Sequence, residues 1–190
     1  MRVLLLNGAK KSDQFTEKTS KKIEEFFTQN ESEIEHILLR NKNVKNCQGC
    51  FKCWVQSPGQ CIIKDDGIKI TEDIINSELV IYLTPIIFGG YSYDLKKVLD
   101  RSIGLISPFF STRKGEVHHK MRYSNYPILA AIGIGNENNI ENNIFKDLIY
   151  RNSLNICYRN YETLVIDRNN GIDHSLKEAF NLFKKIGDNR

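Results

Sequence analysis

Two hydrophobic rhythms alternate along this chain. One is a short unbroken apolar run, and the other places apolar residues three and four positions apart. Arg2–Asn7 is a run that ends in Asn-Gly, as expected of a buried strand stopping at a turn. Ile23, Phe26 and Phe27 then take helical spacing within a helix expected over about Thr16–Gln29. Ile34–Leu39 reads as a second strand. Ile70, Ile74 and Ile75 mark a second helix, which Asp65 or Asp66 can cap. Leu79–Thr84 is apolar up to its last residue, the pattern of a strand covered on both faces. Leu95, Val98, Leu99 and Ile103 continue as a helix, and Pro127–Ile132 as a strand ending at Gly133. Ile140, Ile144, Leu148 and Ile149 predict the next helix, Tyr161–Ile166 a fifth strand, and Leu176, Phe180, Phe183 and Ile186 a last helix.

Strand and helix thus alternate five times. A parallel crossover needs a helix-length connection, so this is α/β patterning with helices on both faces of a five-stranded parallel sheet. Right-handed crossovers leave few topologies. The first choice is the three-layer flavodoxin-like fold of order 2-1-3-4-5, with its ligand crevice at the carboxyl ends of strands 1 and 3. No repeat or linker divides residues 1–190, which predicts a single domain. Residues 104–125 do not fit the pattern. An insertion of this length, holding Phe109, Phe110 and His118-His119, is expected to be a lid or a dimer contact.

Composition narrows the function classes. The chain has 190 residues and a net charge of +4. Its basic residues are interleaved with acids, so no nucleic-acid groove is expected. The apolar run at the N-terminus is too short for a signal peptide or a membrane span, which predicts a cytoplasmic protein with reduced thiols.

Two turns carry candidate ligand chemistry. The stretch N7-G-A-K-K-S-D-Q-F-T16 joins the first strand to the first helix, so free N–H groups and the positive helix end face the crevice. It reads as a phosphate cradle or an ordinary solvated loop. It contains neither G-x-G-x-x-G nor a Walker sequence. The stretch T84-P-I-I-F-G-G90 follows the third strand on the same sheet edge. There Ile86, Ile87 and Phe88 form an apolar ledge bounded by turn residues, where a flat aromatic ligand has room to rest.

On these residues the chain resembles the NADPH-dependent FMN reductases of the flavodoxin superfamily, including their iron–sulfur flavoprotein branch. L6-N-G8 and Thr16 match the family's first turn. T84-P85, F88-G89, L95-K96 and D100-R101 match its third-strand signature. The likeness runs from residue 1 to about 135. It implies phosphate contacts at Ala9, Lys11, Gln14, Phe15 and Thr16, with Pro85, Ile86, Ile87, Phe88 and Gly89 along the isoalloxazine ring. Thr84 and Gly133 complete the expected cofactor contacts. One departure is plain. The family's Ser-Pro-Arg is Ala9-Lys10-Lys11 here, which removes a hydroxyl donor and an arginine fork.

The remaining stretch, C47-x2-C50-x2-C53-x7-C61, packs four of the five cysteines into fifteen positions. Cys47, Cys50, Cys53 and Cys61 suit a 4Fe–4S cluster. They also suit free or redox-active thiols near a flavin, such as Cys50 with Cys53, or, less well, zinc. Trp54 offers a fourth reading, a loop built mainly for packing. Cys157 reads as a small buried hydrophobe, and His118-His119 as solvated loop histidines or, less readily, as contacts to NAD(P)H or a metal. Asp65 and Asp66 read as helix-start residues. Arg101 reads as a helix-end ion pair or a brace of the crevice.

Taken together, these features predict an FMN-dependent oxidoreductase. It takes a hydride from NAD(P)H and passes electrons to a quinone, a small electrophile or an iron–sulfur centre, with no catalytic side chain of its own. A homodimer is expected to cover the ledge. The alternatives are a non-enzymatic flavin electron carrier and a protein that kept the fold and lost the cofactor.

Overall fold

A computed structural model describes residues 1–113, 115–135 and 140–188. In chain order the elements are β1 (Arg2–Asn7), α1 (Gln14–Gln29), β2 (Glu33–Leu38), the short α2 (Lys52–Val55), α3 (Asp66–Asn76), β3 (Leu79–Pro85) and α4 (Tyr93–Arg101). There follow β4 (Ile106–Arg113), β5 (Glu116–Met121), β6 (Ile128–Gly135), α5 (Ile140–Asn155), β7 (Asn160–Asp167) and α6 (Ile172–Asp188).

Five strands form one parallel sheet of order β2-β1-β3-β6-β7. This is the expected 2-1-3-4-5 order once the β4–β5 pair is set aside. β3 and β6 lie in the middle of the sheet and are apolar on both faces, because helices cover both sides. On one side α1 and α6 close the core, with Phe27 and Phe183 against Ile81 and Ile132. On the other, α3, α4 and α5 bury Ile74, Val98 and Phe145 against Tyr82 and Leu129. The Tyr82 and Tyr158 hydroxyls pair inside this second layer, so neither phenol is left without a partner away from water.

Two expectations gain detail. The helix expected from Ile140, Ile144, Leu148 and Ile149 is present as α5, but these residues do not share one buried face. Ile140 and Ile144 are 75% and 49% exposed, while Phe145 and Ile149 are buried. Helical spacing alone does not choose the buried face, and Phe145, one position after Ile144, carries the larger apolar surface to the sheet. The long insertion is also no irregular loop. Apart from Lys114, which lies outside the described residues, it contains the antiparallel hairpin β4–β5, registered through Phe110 with His119 and Thr112 with Val117.

Candidate functional site

β1 and β3 are neighbours, so the turns that follow them must start side by side. Gly8 lies at their seam. Its N–H donates to Leu83 O at 2.9 Å, and a Cβ there would run into Ser92 Oγ and come within 3.1 Å of Leu95 Cβ. Glycine is what lets the first turn lie against the start of α4.

The first turn is built from side chains that bond to its own backbone. Asn7, fully buried, accepts the Ala9 N–H at 2.9 Å and donates to Ser20 Oγ at 3.1 Å. Asp13 caps α1, accepting from Thr16 N at 3.2 Å and Thr16 Oγ1 at 2.8 Å. Among the described residues, the N–H groups of Lys10, Lys11, Ser12 and Phe15 meet no protein acceptor. Lys10, Lys11, Ser12 and Gln14 are exposed around them. The same cap holds a second partner from far along the chain. Arg168, just after β7, forks onto both Asp13 oxygens at 2.9 and 2.7 Å, and its guanidinium lies 5.8 Å from the Phe15 ring centre. Burial opposes ionisation of Asp13, but the Arg168 fork and the Thr16 donors outweigh it and bring the carboxyl to about 2.

The ledge after β3 is a tight turn in which Ile87 and Gly90 exchange backbone hydrogen bonds at 3.1 and 2.8 Å. Its two central residues, Phe88 and Gly89, have φ of 49° and 73°. Phe88 is the exception there, a bulky residue in the left-handed region with its ring 91% exposed. A Cβ on Gly89 would meet Ile144 at 2.6 Å, so the exposed start of α5 braces the turn from the side. Thr84 accepts from Ser92 N at 2.9 Å and holds the end of the turn.

The four clustered cysteines line a single small cavity of about 30 Å³, together with Ile62, Ile63, Ile103 and Arg101. Cys47 and Cys50 are exposed, Cys61 is half-buried and Cys53 is buried. Burial, and then the nearby thiols of Cys61, Cys47 and Cys50, push the Cys53 thiol up. Among the described residues, no three His, Cys, Asp or Glu side chains are set to hold a single metal ion. Arg101 closes the base of the loop. It donates to Lys45 O before the cysteines, to Ile63 O after them, and to both Asp65 oxygens at 2.8 and 3.0 Å. Only 1% of its side chain and none of Asp65's reach solvent. Of the two roles open to Arg101, the helix-end ion pair is the one present, and it ties down the cysteine loop.

A sequence model of the NADPH-dependent FMN reductases matches residues 1–132. The chain belongs to this family. It is also similar to iron–sulfur flavoproteins of two archaea. With one from Methanocaldococcus jannaschii it is 37% identical over 70 residues, 37% of this chain and 35% of that protein. With one from Archaeoglobus fulgidus it is 29% identical over 85 residues, 45% of this chain and 43% of the relative. The matched stretches thus span less than half of these two relatives. Among solved structures, the fold is shared with an NAD(P)H:quinone oxidoreductase from Methanothermobacter marburgensis, at TM-score 0.71, 14% identity and coverage of 95% and 96% of the two chains. It is shared too with an FMN-dependent NADH-azoreductase from Bacillus anthracis in complex with FMN, at TM-score 0.65, 14% identity and coverage of 97% and 98%.

The family's signatures therefore fall at one sheet edge, but they do not all offer surface there. Lys11, Gln14, Ile87 and Phe88 are exposed, and Phe15, Pro85 and Ile86 are half-buried. Ala9, Thr16, Thr84 and Gly89 are buried. The Thr16 donors are already spent on Asp13. Gly133 lies under the core, where a Cβ would meet Phe145 at 2.7 Å and Ile86 at 2.8 Å. It makes room for the ledge from below instead of presenting a surface to a ligand.

Asp13 and Arg168 escaped the sequence reading. Asp13 had a local signal, an acid three residues before Thr16 at a helix start. Arg168 had none, being 155 positions from its partner. The two loop histidines also differ from expectation. His118 is buried between Glu116 and Asn155, each at 3.1 Å. His119 lies against Trp54 and Phe110, 4.7 Å between ring centres in each case. The hairpin thus packs on the cysteine loop. Trp54 is its hinge of contact, donating to Ile103 O at 2.9 Å. Cys157 is buried as expected, with Arg113 Nη2 at 3.1 Å from its sulfur.

Proposed function

We propose that this chain is an FMN-dependent oxidoreductase that accepts a hydride from NAD(P)H and passes electrons to a quinone, a small electrophile or an iron–sulfur centre. The observation that carries the reading is the seam at Gly8. Through it, a turn whose Lys10, Lys11, Ser12 and Phe15 N–H groups are unengaged among the described residues and a turn with an exposed apolar ledge meet at one end of the sheet. Those N–H groups, with the ammonium groups of Lys10 and Lys11, fit a phosphate. The ledge of Ile86, Ile87 and Phe88 fits a planar ring. FMN, when bound, supplies the hydride and electron chemistry. The chain's own part is to hold the phosphate on the first turn, to keep water from one ring face with Phe88 and the Ile87 side chain, and to fix the turn's shape through Thr84, Gly89 and Ile144.

The cysteine cavity supports an additional acceptor. The spacing of four cysteines in one loop suits the thiolate ligation of a 4Fe–4S cluster, and the cavity of about 30 Å³ that they line must widen to admit one. Cys47, Cys50, Cys53 and Cys61 are the ligands in this reading, with Arg101 holding both arms of the loop. A reducing cytoplasmic setting goes with it. The exposed hairpin residues Phe109, Phe110 and Val117 support a homodimer contact, which sedimentation of the wild type and of Phe110→Glu tests. Among the described residues, no helix is long and apolar enough to cross a membrane.

Purification without oxygen, followed by the visible spectrum and iron and sulfide analysis, tests the main reading. A flavin spectrum bleached by NADH or NADPH is the expected outcome. A flavin bleached only by a protein donor identifies an electron carrier instead. Protein without visible absorbance that also fails to take up added FMN removes the proposal.

A further inference from the structure

The family's first-turn arginine is missing here, and the fork of Arg168 stands at the same turn. We infer that Arg168 is the guanidinium that recognises the flavin's phosphate in this chain, and that Asp13 holds it until the phosphate arrives. This inference rests on the FMN reading above and adds a specificity residue to it.

Three observations lead there. First, Arg168 comes from the β7–α6 connection, yet both of its terminal nitrogens reach the cap of α1. Such a planar bidentate donor matches a phosphate as well as a carboxylate, which the ammonium of Lys11 does not. Second, the pair is only partly withdrawn from water, with about a third of the Arg168 side chain exposed. Exchange of one anion for another on its outer side therefore needs no unfolding. Third, the Asp13 carboxylate lies at the helix end beside the unengaged N–H groups of Lys10, Lys11, Ser12 and Phe15. A phosphate entering those donors meets Asp13 as a like charge, and Arg168 is the cation already paired with that carboxylate. Phosphate binding is then an exchange in which the guanidinium turns from Asp13 toward the incoming anion, while Thr16 keeps the cap.

The prediction is selectivity between two flavins that differ only in the phosphate. The 190-residue chain, freed of flavin, is titrated with FMN and with riboflavin, following flavin fluorescence, for the wild type, Arg168→Gln, Arg168→Lys and Asp13→Asn. Arg168→Gln should weaken FMN about tenfold or more and change riboflavin less than about twofold. Arg168→Lys should recover part of the loss, because it restores charge without the fork. Asp13→Asn keeps a good cap and should tighten FMN severalfold without altering riboflavin. Inorganic phosphate should compete with FMN in the wild type and more weakly in Arg168→Gln.

An Arg168→Gln variant that binds FMN as the wild type does, or loses both flavins equally, overturns the role of Arg168. Weaker FMN binding in Asp13→Asn overturns the exchange. A wild type that binds neither flavin removes the FMN reading itself, a distinct result from either of these.

Discussion

At the first turn and at the cysteine loop, one arginine grips one capping aspartate with a two-toothed fork, but the surroundings differ. Asp13 and Arg168 remain partly in water, with 13% and 36% of their side chains exposed. Asp65 and Arg101 are shut away almost completely. At the first turn, among the described residues, the N–H groups of Lys10, Lys11, Ser12 and Phe15 are left open. At the cysteine loop the same arginine also takes two carbonyls, Lys45 O and Ile63 O, and becomes a structural knot. Identical chemistry thus gives a replaceable contact in one place and a fixed one in the other. Desolvation makes the difference, because a charge in water can change partners whereas a buried one cannot be left alone.

Breaking the buried pair should have the largest effect. Arg101→Met strands the Asp65 carboxylate, and urea unfolding should show a loss of about 3–5 kcal/mol. Adding Asp65→Asn should restore part of it, since the stranded charge is then removed. An intermediate effect belongs to the ledge. Gly89→Ala forces a side chain onto a left-handed residue facing Ile144 and should cost roughly 1–3 kcal/mol in the same measurement. Arg168→Gln should cost only about 0–1 kcal/mol at neutral pH, the range for a pair that water can reach. Near-equal losses in Arg101→Met and Arg168→Gln would erase the contrast.

The smallest effect is a pH dependence that sharpens it. Asp13 titrates at about 2 in the folded chain, below the usual carboxylate value near 4. Its contribution to stability is therefore complete above pH about 4 and disappears as pH falls toward 2. Any melting-temperature advantage of the wild type over Asp13→Asn should shrink through that window. In chelator-treated protein at neutral pH, alkylation followed by mass spectrometry should label Cys47 and Cys50 first. Cys157, buried beside Arg113, should react only on unfolding. Early labelling of Cys157 would place it in a looser setting than the hairpin and α5 give it.

Much of this architecture was legible before any coordinates. Leu79–Thr84 and Pro127–Ile132 read as strands because a strand buried on both faces can carry hardly any polar side chain. Asp65 and Asp66 read as a helix start because the unpaired N–H groups there need acceptors. The two turns at the carboxyl end of the sheet were legible through Asn7-Gly8 and the Pro85 to Gly89-Gly90 frame. The hairpin was not. Its residues alternate weakly, and β4 shifts register between Ile106 and Phe110, which blurs the period of two. The orientation of α5 was missed as well, since spacing alone does not say whether Ile144 or Phe145 faces the sheet.

Local sequence determined what adjacent residues can settle between themselves: the five strands of the parallel sheet, the helix starts, the turn glycines and the cluster of thiols. Only the tertiary structure decided which arginine meets which aspartate. Arg168 reaches Asp13 because α1 and α6 share one face of the sheet, and Arg101 reaches Asp65 because α3 and α4 share the other. A side chain's partner across 155 positions follows from how the layers stack, and an ion pair's strength follows from how much water that stacking leaves beside it.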